Sequence, residues 1–277
     1  MIPDELKRLY QHGRVVPFVG AGVSMSVAWD NGGKPLRGPS WRELVNQAAD
    51  EIGFKAPDLL RVRGTDLQIL EYYRAKKADM GPLGHWLATK MQPPDDALLT
   101  SPIHRALAGL RRCSLFYTTN FDDLLERSLA LNGRTPNVVA IEADNSKRSD
   151  GACEVIKFHG DLKHPTTMVL SEKDYQKRLS FSTPMDFRLL SDLLNRVMLF
   201  IGYSFNDPNV SYLFYRVNEL LGKLPDSVGG HRAFILVADP SDFERVLFGL
   251  RNMSVIHTDG ADRTGSVARA IEELGAA

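Results

Sequence analysis

The sequence contains few cysteines and no long apolar run. Two of its 277 residues are cysteine, Cys113 and Cys153, too few for the four-ligand zinc site of a small zinc ribbon. Both lie at the edges of predicted strands, so we expect buried thiols in a reducing compartment. No stretch approaches the ~20 apolar residues of a membrane helix, and the charged start is unlike a signal peptide. A cytoplasmic protein without a membrane partner is the expectation.

Charge of either sign is also not in excess. The 34 Lys and Arg residues balance the 34 Asp and Glu residues, so the net charge predicts no direct binding to nucleic acid or to an anionic membrane. Hydrophobic residues make up 43% and charged residues 25%, as in ordinary globular proteins. A chain of this length forms one large domain or two small ones. We predict a single domain over residues 1–277.

Alternating strands and helices predict an α/β fold. The predicted strands are 14–19, 114–118, 137–141, 153–158, 197–202, 232–238 and 253–257, with a short one near Met168. Helices are predicted at 3–12, 121–131, 172–179, 184–196, 240–250 and 263–274, with another from Pro208 to about Gly222. This alternation indicates a Rossmann-like, mostly parallel sheet with helices on both faces. Pro17 conflicts with the first strand, because proline removes a ladder hydrogen bond, and suggests an irregularity or bulge there.

Residues 25–110 are predicted to form a largely helical insertion after the first strand. The stretch 25–39 is rich in glycine and proline and has no period, which predicts a loop, and long loops are often functional lids. Ser40 and Glu43 form a capping box that opens a helix to about residue 52. Further helical pieces are predicted over 58–91 and 102–110, with a loop at 93–96.

Polar residues follow several predicted strands, where parallel sheets bind ligands. The first strand ends in a Gly-Ala-Gly turn that suits a dinucleotide. A dehydrogenase fingerprint is disfavoured, since Met25 replaces its third glycine and a loop delays the helix. No P-loop motif occurs. Taken singly, each feature has a purely structural interpretation: the Gly-Ala-Gly stretch as a tight turn, Asn120 as a helix N-cap and His159 as a structural histidine. Found together at one edge of the sheet, they indicate a functional site more specifically than any one of them does alone.

Four motifs resemble those of the sirtuins, over about residues 14–240. They are Gly20-Ala21-Gly22-Val23-Ser24, Thr118-Thr119-Asn120-Phe121-Asp122, Phe158-His159-Gly160 and Gly202-Tyr203-Ser204. Pro39-Ser40-Trp41 and the Gly202–Asp207 turn are more closely similar to the sirtuin-like domains of prokaryotic antiphage defence proteins. Two features depart from classical sirtuins. There is no cysteine between His159 and Gly202, hence no zinc module and no expected metal, and the Gly-Ile-Pro-Asp-Phe-Arg segment is missing.

The resemblance implies that NAD is the substrate and that its nicotinamide–ribose bond is cleaved. Asn120 would orient water and a ribose hydroxyl, and His159, which titrates near neutral pH, would be the base. Gly20, Ala21, Gly22 and Ser24 would hold the pyrophosphate, with Asp122 orienting the cluster. The other positions implied around NAD are Thr119, Gly202, Ser204 and Asp239.

Without a zinc module the implied acceptor is water, and the activity is that of an NAD glycohydrolase in antiphage defence. Such an activity must be held off until triggered, and the resemblance implies a homo-oligomer with a HerA-like ATPase partner. Two alternatives stay open: a non-catalytic NAD- or ADP-ribose-binding scaffold, and an NAD-dependent protein deacylase.

Overall fold

One parallel sheet organises the molecule. The structure, a computed structural model, describes residues 1–146, 151–180, 182–203 and 233–277, with Tyr215 and Glu219. Within these residues seven strands form the sheet: β1 Val15–Val19, β4 Leu115–Thr118, β5 Pro136–Val139, β6 Cys153–Lys157, β7 Val197–Ile201, β8 Ala233–Ala238 and β9 Met253–Thr258. Their order is β5-β6-β4-β1-β7-β8-β9, and each pairing is parallel. The predicted Rossmann-like α/β fold is confirmed.

Helices cover both faces of the sheet. The helices of the described residues are α1 Asp4–Gln11, α2 Ala21–Met25, α3 Trp41–Glu51, α4 Pro57–Arg61, α5 Asp66–Lys77, α6 Gly81–Lys90, α7 Asp95–Thr100, α8 Pro102–Gly109, α9 Leu124–Leu131, α10 Glu172–Leu179, α11 Pro184–Asn195, α12 Asp242–Gly249 and α13 Arg263–Gly275. Helices α1, α8, α9 and α13 pack on one face, and α11 and α12 on the other. None of these helices is both long and apolar enough to cross a membrane. Of the helix predicted from Pro208 to about Gly222, Tyr215 and Glu219 are described and are helical, and its other residues lie outside the described part of the chain.

The insertion between β1 and β4 is largely helical, as expected, and has its own core. Buried residues of α3, α5 and α6 form this core, which also takes in Leu124, Met168 and Leu170 from around the sheet edge. The capping box of Ser40 and Glu43 opens α3 as predicted. Cys113 and Cys153 are buried free thiols, also as predicted.

The predicted loop over residues 25–39 is wrong in its middle. Strands β2 Ala28–Asp30 and β3 Pro35–Arg37 form an antiparallel hairpin in which Trp29 lies opposite Leu36. Gly32 and Gly33, at φ +66° and +83°, supply the two positive φ angles that a two-residue hairpin turn needs. The Gly-Gly pair was therefore a hairpin signal that the loop prediction overlooked.

Three smaller predictions also need correction. Helix α2 begins at Ala21 with Gly20 as its extended N-cap, so no loop delays the helix after β1. Helix α7 replaces the predicted loop around Asp95, whose acidic charge suits a helix N-terminus. Around Met168 the described residues contain a 3-10 turn, Pro165–Thr167, and no strand.

Pro17 fits into β1 without a bulge. The β1–β7 register is continuous from Val15 to Val19. Val197 N donates to Arg14 O, and Gly20 N donates to Ile201 O. The backbone N and O atoms of the even-numbered residues of this stretch therefore point towards β7, and the backbone N of Pro17 points towards β4. Pairing with β4 begins only at Phe18. The missing N–H of Pro17 therefore falls outside a ladder, which is why proline is tolerated in a central strand.

Candidate active site

Four neighbouring strands end at the same level. Val19 of β1 pairs with Thr118 of β4 and with Ile201 of β7, and Thr118 pairs with Lys157 of β6. The residues that follow these ends, Gly20, Thr119, Phe158 and Gly202, therefore lie side by side at the carboxyl edge of the sheet. The strand order reverses between β1 and β7, and open α/β sheets bind ligands at such a switch point.

The glycines of this edge pack against one another. Gly22 N donates to Gly202 O at 2.9 Å, and a Cβ on Gly20 would lie 2.7 Å from the same oxygen. Gly202 has φ +75°, and a Cβ there would lie 2.6 Å from Val23 N. Glycine is therefore required at these positions to let the turn before α2 meet the end of β7. The N–H groups of Gly20 and Gly22 are used in this packing.

The side chain of Asn120 is held in one orientation. Its Nδ2 donates to Gly20 O at 3.1 Å and to Ser24 Oγ at 2.8 Å, while its backbone N donates to Thr118 Oγ1 at 3.0 Å. A carbonyl oxygen such as Gly20 O only accepts, so it sets which end of the amide faces it. With both amide hydrogens used, Asn120 offers Oδ1 as an acceptor to a bound molecule.

Ser24 and Asp122 extend this network. The Ser24 hydroxyl lies near the Asp122 carboxylate, and Asp122 Oδ1 accepts a hydrogen bond from Leu124 N at 3.1 Å. Burial raises the pKa of Asp122, and the positive charge of Lys157 opposes that rise. The three predicted residues Ser24, Asn120 and Asp122 thus form one buried polar chain, in which Asn120 Nδ2 donates to Ser24 Oγ and Ser24 lies beside Asp122.

A buried ion pair lies beneath this chain. Lys157, the last residue of β6, is 1% exposed, and its Nζ lies 3.0 Å from Glu126 Oε1. The same ammonium donates to Phe121 O at 3.3 Å and to Asp122 O. Burial raises the pKa of Glu126, and the charge of Lys157 opposes that rise.

Tyr203 joins the end of β7 to those of β1 and β4. Its hydroxyl donates to Val19 O at 3.1 Å and lies 2.8 Å from Thr119 Oγ1, which therefore donates to it. Its ring makes edge contacts with Phe18 and Phe200, at centroid distances of 5.7 and 5.5 Å. The predicted residue Thr119 is thus bonded to a residue that the sequence left without a role.

His159 follows β6 and is 3% exposed. Its ring lies 5.6 Å from that of Tyr175, edge-on, so α10 covers the imidazole. Burial lowers the pKa of His159 to about 3, and the charge of Arg178 adds to this shift. The expectation that His159 titrates near neutral pH is wrong for this arrangement, because the apolar surroundings penalise the imidazolium.

Of the sequence-predicted site residues that the structure describes, Asp239 is not brought into this cluster. Asp239 follows β8, where its side chain is 65% exposed and its Oδ1 lies 3.1 Å from Nε2 of His257 on the edge strand β9. Ser204 lies outside the described residues. No group of three or more His, Cys, Asp or Glu side chains that could bind a metal occurs in the described part of the chain.

The sequence reasoning overlooked Lys157, Glu126 and Tyr203. A lysine that ends an apolar strand two residues before His159 was a visible signal, because a charge at such a position must find partners. Tyr203 lay inside a quoted motif. Nothing in the local sequence around Glu126 indicates that it is buried.

The chain is similar in sequence to several known proteins. The NAD(+) hydrolase ThsA of Bacillus cereus (strain MSX-D12) is 31% identical over 225 residues, covering 79% of this chain and 42% of that protein. Its counterpart from Cytobacillus dafuensis is 30% identical over 224 residues, with 80% and 42% covered. Defense-associated sirtuin 2 of Bacillus subtilis is 26% identical over 255 residues, with 87% and 22% covered. The chain spans less than half the length of these curated relatives.

A solved structure from work on the mechanism and regulation of Sir2 enzymes aligns at TM-score 0.45 and 15% identity, covering 99% of this chain and 98% of that one. The family model of the SIR2-like domain matches residues 114–256, more than half of the chain. That span contains the Asn120, His159 and Gly202 motifs. The chain therefore belongs to the SIR2-like domain family.

Proposed function

We propose that the protein is an NAD glycohydrolase that releases nicotinamide and ADP-ribose. The observation that carries the proposal is the fixed amide of Asn120, one strand away from His159 at the same sheet level. Relatives named NAD(+) hydrolase ThsA support the substrate, and membership of the SIR2-like family supports the site.

The reaction breaks the bond between nicotinamide and the ribose carbon and leaves an oxocarbenium-like sugar. Asn120 Oδ1 accepts a hydrogen bond from the attacking water or a ribose hydroxyl and so orients it. The water oxygen bonds to the ribose carbon, and its proton passes to a base, for which His159 is the candidate. The low pKa of His159 keeps the imidazole neutral before the reaction, so it adds no positive charge beside the cationic sugar.

Pyrophosphate binding is assigned to the turn between β1 and α2. The N–H groups of Gly20 and Gly22 are engaged with the end of β7, so this contact draws on Ala21; a contact from the buried Ser24 hydroxyl stays a prediction. Gly202 supports the turn from below and shapes the adjacent surface. A ribose contact by Asp239 stays a prediction, as does any role of Ser204.

Nicotinamide release from NAD tests the proposal directly. The variants Asn120→Ala and His159→Ala should each lower turnover by at least about 10²-fold, the usual contribution of an orienting or general-base group. Arg269→Ala on α13, where Arg269 pairs with exposed Asp262, is the matched control and should match the unmutated protein. Equal rates for all four proteins would remove the site assignment.

The same assay separates the two alternatives. A non-catalytic scaffold would bind NAD or ADP-ribose without releasing nicotinamide under any condition. A protein deacylase would release nicotinamide only when an acyl-lysine peptide is added. The chain has no cysteine between His159 and Gly202 for the zinc module of classical deacylases, which favours hydrolysis.

We also propose that the activity serves antiphage defence in the cytoplasm and is restrained by assembly. The support is the relative named Defense-associated sirtuin 2, together with the cost to a cell of uncontrolled NAD loss. A homo-oligomer with a HerA-like ATPase partner is the proposed assembly. Co-expression with a neighbouring ATPase gene, sizing of the complex and NAD measurement after phage infection test this. A fully active monomer would contradict it.

A further inference from the structure

Lys157 is a charged residue in a position that normally takes an apolar one. It ends the buried strand β6, and its side chain is 1% exposed. A buried ammonium loses its hydration, which is costly unless each N–H finds an acceptor. The hydrogen-bond partners of the Lys157 ammonium therefore indicate which part of the structure this residue stabilises.

All three N–H donors of Lys157 have acceptors. One is Glu126 Oε1 at 3.0 Å. The other two are backbone carbonyls, Phe121 O at 3.3 Å and Asp122 O. An ion pair alone would need only Glu126. Two of the three bonds instead go to the peptide groups that directly follow Asn120.

We propose that Lys157 is a positioning residue that holds the segment from Asn120 to Asp122 in its working geometry, with Glu126 as its counter-ion. The proposal rests on the proposed NAD cleavage at Asn120.

The segment is held at two ends. At its start, Asn120 N is bonded to Thr118 Oγ1, which belongs to β4. At its other end the carbonyls of Phe121 and Asp122 are held by Lys157 of the neighbouring strand β6. If Lys157 is removed, the Asp122 carbonyl loses this buried partner, whereas the Phe121 carbonyl keeps its hydrogen bond from Leu162 N at 3.0 Å, so the freedom gained lies mainly at the Asp122 peptide group.

Rotation there would reach Asn120 through the side-chain network. The Asp122 carboxylate lies beside the Ser24 hydroxyl, and Ser24 Oγ accepts a hydrogen bond from Asn120 Nδ2 at 2.8 Å. A shift of about 1 Å in such a group can cost about 10²-fold in rate without contact to the substrate being lost. The effect should fall on kcat more than on KM.

Glu126 allows the positioning role to be separated from stability. Its Oε2 is buried and has no hydrogen-bond partner among the described residues, so Lys157→Met alone leaves a buried carboxylate without its counter-charge. Replacing both members of a buried ion pair by apolar residues is often neutral or stabilising. The double variant Lys157→Met/Glu126→Leu should therefore recover thermal stability that Lys157→Met loses.

The kinetic test compares these two variants with Arg188→Met. Arg188 pairs with Glu154 of the same strand at 2.7 Å but does not touch the 120–122 segment. We expect Lys157→Met and the double variant to lower kcat for nicotinamide release about 10²-fold with KM changed by less than about threefold. Arg188→Met should lower the melting temperature and leave kcat within about threefold. Recovery of kcat in the double variant would overturn the proposal, as would failure of both variants to fold.

Amide hydrogen exchange tests the same idea without turnover. Residues 119–124 should exchange faster in Lys157→Met and in the double variant, while the end of β7 keeps its protection; in Arg188→Met, residues 119–124 should be unchanged. Unchanged exchange in 119–124 of the two lysine variants would overturn the proposal. If the unmutated protein releases no nicotinamide with or without a partner, the proposed function fails, and the exchange result still decides the role of Lys157.

Discussion

Acid should destabilise the protein through two buried histidines. Burial lowers the pKa of His159 to about 3 and that of His104 to about 4, against 6.5 for an unperturbed histidine. In the unfolded chain both groups take up a proton as the pH falls below 6.5, whereas in the folded protein they remain neutral until about pH 3 to 4. The unfolded state binds more protons in this window, so stability is complete above it and falls with pH.

The loss of stability over a given pH range depends only on the pKa of the histidine in the unfolded chain, provided that its pKa in the folded protein lies below that range. One pKa unit corresponds to about 1.4 kcal/mol. Between about pH 7.5 and about pH 5, each histidine should therefore remove about 2 kcal/mol from the free energy of unfolding, and the two together about 4 kcal/mol. This is a large part of the roughly 5–15 kcal/mol typical of a native protein.

Urea unfolding at a series of pH values, followed by circular dichroism, measures the effect. The variants His159→Gln and His104→Gln remove one titrating group each, so each should lose about 2 kcal/mol less than the unmutated protein over the same pH range. The absolute stability of a variant does not enter, because only its pH dependence is compared. If His159→Gln loses as much stability on acidification as the unmutated protein, His159 is not a buried neutral group and the argument for its chemistry fails.

Two further substitutions test the packing at the sheet edge. Gly202→Ala places a Cβ 2.6 Å from Val23 N at a positive φ, so it should lower the free energy of unfolding by at least about 2 kcal/mol and reduce NAD turnover. Urea unfolding measures the stability change, and an unfolding midpoint equal to that of the unmutated protein would refute the prediction. Tyr203→Phe deletes the hydroxyl that donates to Val19 O and receives the bond of Thr119, which should cost about 1–2 kcal/mol. A melting temperature equal to that of the unmutated protein would show that this bond adds nothing.

Most of the fold was predictable because it depends on local patterns. Short apolar runs separated by helical segments indicate parallel strands, and the strands observed at β1, β4, β6 and β7 agree with that prediction. The secondary-structure prediction is wrong where composition suggested one structure and a weaker local turn signal indicated another. Glycine and proline between residues 25 and 39 predicted a loop, but the pair Gly32-Gly33 is also what a hairpin turn requires.

The candidate site was predictable in its residue types but not in its bonding. Residues after parallel strands meet at one edge, so Asn120 and His159 could be placed together from the sequence. The orientation of the Asn120 amide depends on Gly20 O, which lies 100 positions away along the chain. The pKa of His159 depends on Tyr175 and other residues that bury it, and no local pattern predicts how completely a later helix covers a side chain.

The amino-acid sequence alone settled the α/β class and the edge of the sheet at which chemistry is possible, because hydrophobic period and turn residues act over a few neighbours. The tertiary structure decided which side chains carry a charge, which polar groups have hydrogen-bond partners and which segments are fixed in position. Lys157 is the clearest case: its acceptors are on a segment some 35 residues earlier in the chain, and only the pairing of β4 with β6 brings them within reach. Burial and hydrogen bonding are properties of the assembled sheet edge, so they cannot be read from any stretch in isolation.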